Sequence, residues 1–335
     1  MNKNKIEQIR GLISQTFDKH MDEHMDELKE AVKGANNWRH FSQDHFLKAL
    51  VSTPTVFVDF YNMMADNESR ECFNWIVGYR VLATIFGEYD LWATMPTTSP
   101  LYRLFPGSVK PEDVAIGIQW VQDNMIDMPD YVELYSLWHT FYLQHYKIEG
   151  VFEVNAGDIV FDIGAYRGDT AVYFGKKVAQ GGHVYSFEPV MAFAEQIKEN
   201  TKKFNLEEHV TVVPYCLSDK AQSIALSFSE TMGMDNITAE AITIDEFVAQ
   251  NNITKLDMMK LDIEGAERLA LKGGRNAIAR FRPKIALSIY HSDGYGYRDF
   301  YELPALMRDL CPNYRFYLRH KNACLYETVL FCIPN

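Results

Sequence analysis

Cysteine is scarce in this chain and is not arranged for cross-linking or metal binding. The cysteines are odd in number and no two have the C-x-x-C spacing; they are Cys72, Cys216, Cys311, Cys324 and Cys332. A disulfide framework and a zinc ribbon both need paired cysteines at regular spacings. We therefore expect reduced thiols in a reducing compartment.

Long apolar runs and dense basic runs are also missing. The first residues, MNKNKIEQIRGLIS, lack the apolar core of a signal peptide, and no stretch approaches the roughly 18 consecutive apolar residues of a membrane helix. The formal charge is −12, whereas nucleic-acid binding requires a basic face. The sequence predicts a cytoplasmic chain with neither a membrane nor a nucleic-acid partner.

Residues 1–149 are predicted to form a helical N-terminal region. Apolar side chains recur every three or four residues over 5–33, which is typical of an amphipathic helix, and aromatic-rich helices are predicted to follow. His20 and His24 lie one turn apart, but no third ligand is evident, so a solvated face is favoured over a metal site. The apolar face of helix 5–33 could pack on a partner helix or on a second copy of the chain. A homo-oligomer formed through these helices is therefore one expectation.

Residues 150–335 show a different pattern, in which short β-rich runs alternate with helical segments. This alternation predicts an α/β domain with a Rossmann-like, doubly wound and mostly parallel sheet. Two strands joined by a tight connection close the chain, so we expect the last strand to run antiparallel. The predicted strands are 158–164, 183–189, 210–217, 256–265, 284–291, 314–320 and 325–334.

Candidate ligand-binding residues lie at or just after the carboxyl ends of the predicted strands, because an open parallel sheet binds ligands at this edge. A glycine there allows a sharp turn close to a ligand, a helix N-terminus attracts an anion, and an acidic residue can accept hydrogen bonds from ribose hydroxyls. The candidates are Asp162, Gly164, Ala165, Gly168, Thr170, Glu188, Pro189, Ser218, Asp219, Asp262 and His291.

Two cofactors compete for such a nucleoside site. A nicotinamide dinucleotide favours G-x-G-x-x-G, because its pyrophosphate needs close contact with the backbone. Here the spacing is Gly164-x-x-x-Gly168, which is a poor match. S-adenosylmethionine has no phosphate and carries a sulfonium cation, so it suits a site lined with carboxylates. The residues favour S-adenosylmethionine, and a nicotinamide-dependent oxidoreductase remains the alternative.

Several motifs together carry a family resemblance. The segments VFDIGAYRGDTAVYF, VYSFEP, YCLSDK, MMKLDIEGAERLALKGG, PKIALSIYH and ETVLFCIP occur in this order between residues 150 and 334. They resemble the FkbM family of S-adenosylmethionine-dependent methyltransferases, and NESRECFNWIVGYRVLA resembles the helical extension of its longer members. The resemblance implies a class I methyltransferase fold and methyl transfer to a hydroxyl of a sugar, glycan or related small molecule.

The resemblance also implies roles for individual residues. Asp162, Gly164 and Gly168 would shape the methionine pocket, and Ala165 and Thr170 lie in the same segment. Glu188, followed by Pro189, would bind the ribose. Ser218 and Asp219 would lie beside the adenine, and Asp262 would face the cofactor amino group or the substrate.

Methyl transfer to a hydroxyl also requires removal of a proton. His291 follows a predicted strand and has a suitable intrinsic pKa, so it is the first candidate base, and His320 is the second. A metal-assisted variant would use Asp262 and Asp293 as a pair of hard-cation ligands, but no third ligand is evident. A further alternative is a non-catalytic adenosyl-binding scaffold that recognises a partner through its N-terminal helices.

Overall fold

The computed structural model describes residues 45–86, 111–125, 127–129, 132–179, 181–226, 236–291, 298–321 and 327–335. The predicted helix 5–33, with His20 and His24, lies outside the described residues, and so does Asp293. Among the described residues, no helix is long and apolar enough to cross a membrane.

A seven-stranded sheet forms the centre of the fold. Its order is β3-β2-β1-β7-β8-β10-β9, mostly parallel with an antiparallel strand, which confirms the predicted fold class. Its strands are β1 Ile159–Ile163, β2 His183–Phe187, β3 Val210–Val213, β7 Met258–Leu261, β8 Lys284–Ser288, β9 Tyr314–His320 and β10 Thr328–Pro334.

The inner strands form because their sequences are apolar on both faces. Phe161, Leu261 and Leu287 are fully buried, as expected for parallel strands that helices cover on both sides. Two polar side chains interrupt this pattern at neighbouring positions. Asp162 of β1 lies opposite Lys260 of β7 in the parallel register, so both side chains project to the same face of the sheet.

Helices connect the parallel strands and cover the sheet. Those that follow β1 are α6 Asp169–Val178, α7 Met191–Lys203, α8 Ile244–Gln250, α9 Glu267–Gly273, α10 Arg275–Phe281 and α11 Asp299–Leu310. The apolar spacing from Ala266 to Phe281 by itself predicts one helix, but the structure divides this segment between α9 and α10. A side chain at Gly273 would collide with the carbonyl oxygen of Ser218, so this glycine allows the helix end to pack closely.

The predicted strand 210–217 is also divided. β3 ends at Val213, Pro214 follows, and β4 Cys216–Leu217 joins β5 Gln222–Leu226 and β6 Ile237–Ile242 in a second sheet of order β4-β6-β5. Proline has no backbone N–H to donate to a neighbouring strand, so the break at Pro214 has a local cause.

Further helices precede the sheet in the chain. They are α1 His45–Ser52, α2 Pro54–Asn62, α3 Asn67–Phe86, α4 Pro111–Asn124 and α5 Leu134–Leu137, and a π-helical turn follows at Trp138–Tyr142. The sequence predicted a continuous helix from Tyr131 to Tyr146. The structure has a short helix and a π turn there, a feature that often lies at functional sites.

The chain divides into two compact units. The first comprises residues 1–111, 289–309 and 315–330, and the second comprises 112–288, 310–314 and 331–335. The described part of the first unit has an aromatic core in which Phe46, Phe60 and Phe73 are buried and the rings of Phe60 and Phe73 lie 5.4 Å apart. The domain boundary expected between residues 149 and 150 stays a prediction.

Candidate active site

The turn after β1 is held tightly against the two neighbouring strands. The backbone N–H groups of Gly164 and Ala165 both donate to the carbonyl oxygen of Phe187, each at 3.0 Å. Gly164 has φ +88, and a side chain there would collide with the carbonyl oxygen of Asp262. Only glycine meets both requirements, so the turn lies close to the carboxyl ends of β2 and β7.

Both the backbone conformation and the packing at position 168 favour glycine. It precedes α6 with φ +92, and an added Cβ would lie 3.1 Å from the Cα of Ile197 in α7. At the second position of α6, Thr170 donates to the Asp162 carboxylate at 2.9 Å. The glycine thus permits close packing of α6 and α7, while Thr170 connects the new helix to β1.

Glu188 lies directly after β2 and is only 6% exposed. Its two carboxylate oxygens accept from the backbone N–H groups of Val190 at 2.8 Å and of Tyr166 at 3.0 Å. A carboxylate oxygen can accept two hydrogen bonds, so each oxygen retains acceptor capacity after these contacts. Burial raises the pKa of Glu188 to about 7, which places its titration near neutral pH.

Lys260 is an internal cation that the sequence analysis did not single out. Its ammonium donates to the carbonyl oxygen of Gly164 at 2.5 Å and lies 3.5 Å from Asp162 Oδ1. Burial opposes the charged form, but the carboxylates of Asp162, Asp262 and Asp169 outweigh it and raise the pKa of Lys260. A lysine within the otherwise apolar run MMKL was the available signal.

A segment before the sheet lies along the same loops; we call residues 133–146 the strap. Thr140 donates to Asp169 Oδ2 at 2.5 Å, and Tyr146 donates to Asp262 Oδ2 at 2.7 Å. At its start, Glu133 accepts from the hydroxyl of Tyr166 at 3.0 Å. The strap therefore contacts the loop after β1, the start of α6 and the loop after β7. No motif in the sequence of the strap indicates these contacts.

Both of these loops contain unusual backbone. Tyr166, after β1, has φ +48, and Glu264 and Gly265, after β7, have φ +55 and +97. Left-handed conformations at non-glycine residues cost about 1–3 kcal/mol each and concentrate at functional sites. The two loops combine this cost with buried carboxylates, which supports a ligand-binding role for this end of the sheet.

The remaining predicted cofactor residues have different surroundings. Ala165 is fully buried and Pro189 is half-buried beside Glu188. Ser218 is buried and Asp219 is exposed, and both follow β4 of the small sheet. The sequence had placed them at the end of the third strand of the main sheet, which the break at Pro214 corrects.

The two predicted base histidines belong to the first compact unit. His291 is 7% exposed, and its ring lies 4.2 Å from that of Tyr290. His320 is buried and its Nδ1 lies 2.8 Å from the hydroxyl of Thr328. The catalytic roles of His291, His320 and Asp262 stay predictions, and so does the metal-assisted variant with Asp293.

The comparisons with known proteins agree on one kind of domain. The model of the methyltransferase FkbM domain matches residues 162–316, and no curated protein matches the chain. Methyltransferase FkbM from Methylobacillus flagellatus KT is a similar solved structure, with 18% identity and a TM-score of 0.56 over 85% of this chain. This chain covers 60% of that protein, and the likeness shows the class I methyltransferase fold.

A weaker match is the O-methyltransferase from Bacillus cereus in complex with SAH. It has 12% identity and a TM-score of 0.37, over 66% of this chain and 91% of that one.

Proposed function

We propose that this chain, whose residues 162–316 match the model of the methyltransferase FkbM domain, methylates a hydroxyl oxygen of a sugar, glycan or related small molecule with S-adenosylmethionine as the methyl donor. When bound, the cofactor supplies a methyl group that its sulfonium centre activates. The protein must bind the adenosyl group, orient the acceptor and accept a proton.

Glu188 carries the proposal. A buried carboxylate at the carboxyl end of β2, with one acceptor position left on each oxygen, suits the two neighbouring hydroxyls of a ribose. The bond from the N–H of Tyr166 connects this carboxylate to the glycine turn after β1. The ribose site and the methionine pocket are therefore built on one hydrogen-bonded unit.

The described residues fit the methionine end of the cofactor as well. Asp162, Asp169 and Asp262 lie around Lys260, the cation among them. Burial raises the pKa of Asp162 and of Asp169, so an added positive charge would stabilise their ionised forms. A cationic ligand group is favoured in such surroundings. The tight turn at Gly164 leaves its backbone without a side chain to obstruct the ligand.

Within the second unit, Asp262 is the candidate for accepting the proton of the acceptor hydroxyl, and His291 of the first unit is the other candidate. It is half-buried and its Oδ2 accepts from Tyr146, which holds the carboxylate in one orientation. Trp120 and Tyr135 of the same unit are 36% and 46% exposed. Exposed aromatic rings suit stacking on sugar rings, and this supports a carbohydrate acceptor.

Calorimetric titration tests the cofactor. We expect the purified chain to bind S-adenosylmethionine and S-adenosylhomocysteine (SAH), and Glu188→Gln to weaken both by about tenfold or more because two hydrogen bonds to a charged group are altered. Asp245→Asn is the matched control, since Asp245 also accepts two backbone N–H bonds, from Asn276 and Ala277. Binding of NAD(H) in place of the adenosyl compounds would favour the oxidoreductase alternative.

Transfer of a labelled methyl group to a panel of sugars and glycans tests the acceptor. Label on oxygen supports the proposal, whereas label on nitrogen or carbon contradicts it. Adenosyl binding without transfer to any compound would favour the scaffold alternative.

The base assignment of His291 has its own test. General bases contribute about 10²–10⁴ in rate, so His291→Ala should slow transfer by at least about a hundredfold. A loss below about tenfold would remove His291 from this role.

A further inference from the structure

Lys260 lies where a lysine is rarely found. It occupies the centre of the sheet, in the fully buried four-residue strand β7, and is 2% exposed. A lysine that is buried this completely is almost always paired with an acidic group. The partners of Lys260 therefore indicate what it does.

Those partners belong to the turn that begins the candidate site. The ammonium donates to the carbonyl oxygen of Gly164 and faces Asp162 Oδ1. The other carboxylate oxygen of Asp162 accepts from Thr170. The N–H of Gly164 is meanwhile bonded to the end of β2, so the turn is held by β2 on one side and by Lys260 of β7 on the other.

The charges around Lys260 point in the same direction. Asp162, Asp169 and Asp262 interact with its ammonium, and Thr140 and Tyr146 of the strap hold two of these carboxylates by hydrogen bonds. Burial raises the pKa of Asp162 and of Asp169, and the ammonium of Lys260 opposes this by favouring their ionised forms. The ammonium or sulfonium group of a ligand would favour the ionised forms in the same way.

We propose that Lys260 is a positioning residue that builds the amino-acid end of the cofactor pocket. It fixes the Gly164 carbonyl and the Asp162 carboxylate, and thereby orients the groups that face the methionine part of the cofactor. The adenosine part is held by Glu188, to which Lys260 makes no hydrogen bond among the described contacts. This inference rests on the proposed function, because it assumes an adenosyl cofactor.

The division between the two ends of the ligand provides the test. SAH carries the amino-acid end, whereas 5′-methylthioadenosine shares the adenosine and thioether but lacks that end. We expect Lys260→Met to weaken SAH by about tenfold or more, because the variant loses hydrogen bonds made by a charged donor. Burial raises the pKa of Glu188 and the ammonium of Lys260 opposes this rise, so both ligands are compared at about pH 8, where Glu188 is mostly ionised. The affinity for 5′-methylthioadenosine should then change by less than about threefold. Calorimetry on both ligands measures the split.

Lys284→Met is the matched control. Lys284 begins the neighbouring strand β8, and its ammonium also donates to a backbone carbonyl, that of Glu153 at 3.1 Å. It lies at the amino end of that strand, so its loss should leave both affinities within about twofold of wild type. Equal weakening of SAH and 5′-methylthioadenosine by Lys260→Met would show a general structural role and overturn the proposal.

Lys260→Met leaves the buried Asp162 without its cation, so this variant risks misfolding. A crystal structure of the wild-type chain with SAH adds a measurement that needs no variant. The amino-acid end of SAH should lie against the turn at Gly164, with Lys260 still bonded to that carbonyl. An amino-acid end placed elsewhere would overturn the proposal.

Binding by the wild-type chain tests the adenosyl cofactor, and the comparison with Lys260→Met tests the role of Lys260. A wild-type chain that binds neither SAH nor 5′-methylthioadenosine contradicts the adenosyl cofactor itself. A wild-type chain that binds both, with a Lys260→Met variant that does not distinguish them, contradicts only the role of Lys260.

Discussion

The affinity of the chain for an adenosyl ligand should fall as the solution becomes acidic, because Glu188 titrates near neutral pH. Burial raises the pKa of this carboxyl group to about 7 in the free protein. Ribose hydroxyls donate to the ionised form, so binding favours the carboxylate and lowers its pKa. Ligand and proton therefore compete for Glu188.

The size of the effect follows from that pKa. With a pKa of about 7, roughly 90% of Glu188 is ionised at pH 8 and roughly 10% at pH 6. If only the ionised form binds, the apparent dissociation constant is multiplied by 1 + 10^(pKa − pH), which is about 1.1 at pH 8 and about 11 at pH 6. The affinity should thus fall about tenfold between these two values.

Calorimetry with 5′-methylthioadenosine measures this directly, because the ligand itself does not titrate between pH 6 and pH 8. At pH 6, binding should also release about one proton, which titrations in two buffers of different ionisation enthalpy detect. Glu188→Gln should abolish both the pH dependence and the proton release, while Asp245→Asn should retain them. A flat profile in the wild-type chain, or the same slope in Glu188→Gln, would contradict the role of Glu188 in binding the ribose.

Three substitutions test the surroundings of this site. Gly164→Ala should lower the free energy of unfolding by about 2 kcal/mol or more, because of the positive φ and the collision with the Asp262 carbonyl. Chemical denaturation measures this free energy, and an unchanged value would contradict the tight turn. Thr140→Val should cost about 1–3 kcal/mol in the same assay, since the buried Asp169 loses a donor; a cost below about 0.5 kcal/mol would argue against that bond. Tyr146→Phe should slow methyl transfer about tenfold without changing SAH affinity, because Asp262 loses the hydroxyl donor that orients it. A parallel loss of SAH affinity would indicate that Tyr146 has a structural role.

Much of the main sheet was predictable because its strands are short and apolar on both faces. The predicted strands at 158–164 and 183–189 correspond to β1 and β2, and the residues after them form the candidate site. The errors occurred where one residue changed the local backbone. Pro214 divides a strand, and the Gly273–Gly274 pair separates two helices that share one periodic pattern.

The strap shows why part of the site was not predictable. Its apolar spacing predicts an ordinary helix over residues 131–146, and nothing in that spacing marks the π turn at Trp138–Tyr142. Thr140 and Tyr146 have no motif around them, and their importance depends on the carboxylates that they contact. Lys260 did leave a signal, a charge within an apolar strand, but the sequence does not say which groups face it.

Local sequence patterns specify the order of the main strands and helices along the chain and place candidate site residues near the ends of β1 and β2, because periodicity, glycine and proline act over a few residues. Which side chains converge depends on tertiary packing. Lys260 and Gly164 are 96 residues apart, and Tyr146 and Asp262 are 116 apart. Such contacts arise from the parallel register of β1 with β7 and from the path of the strap. Both result from packing the whole domain, so no local pattern encodes them.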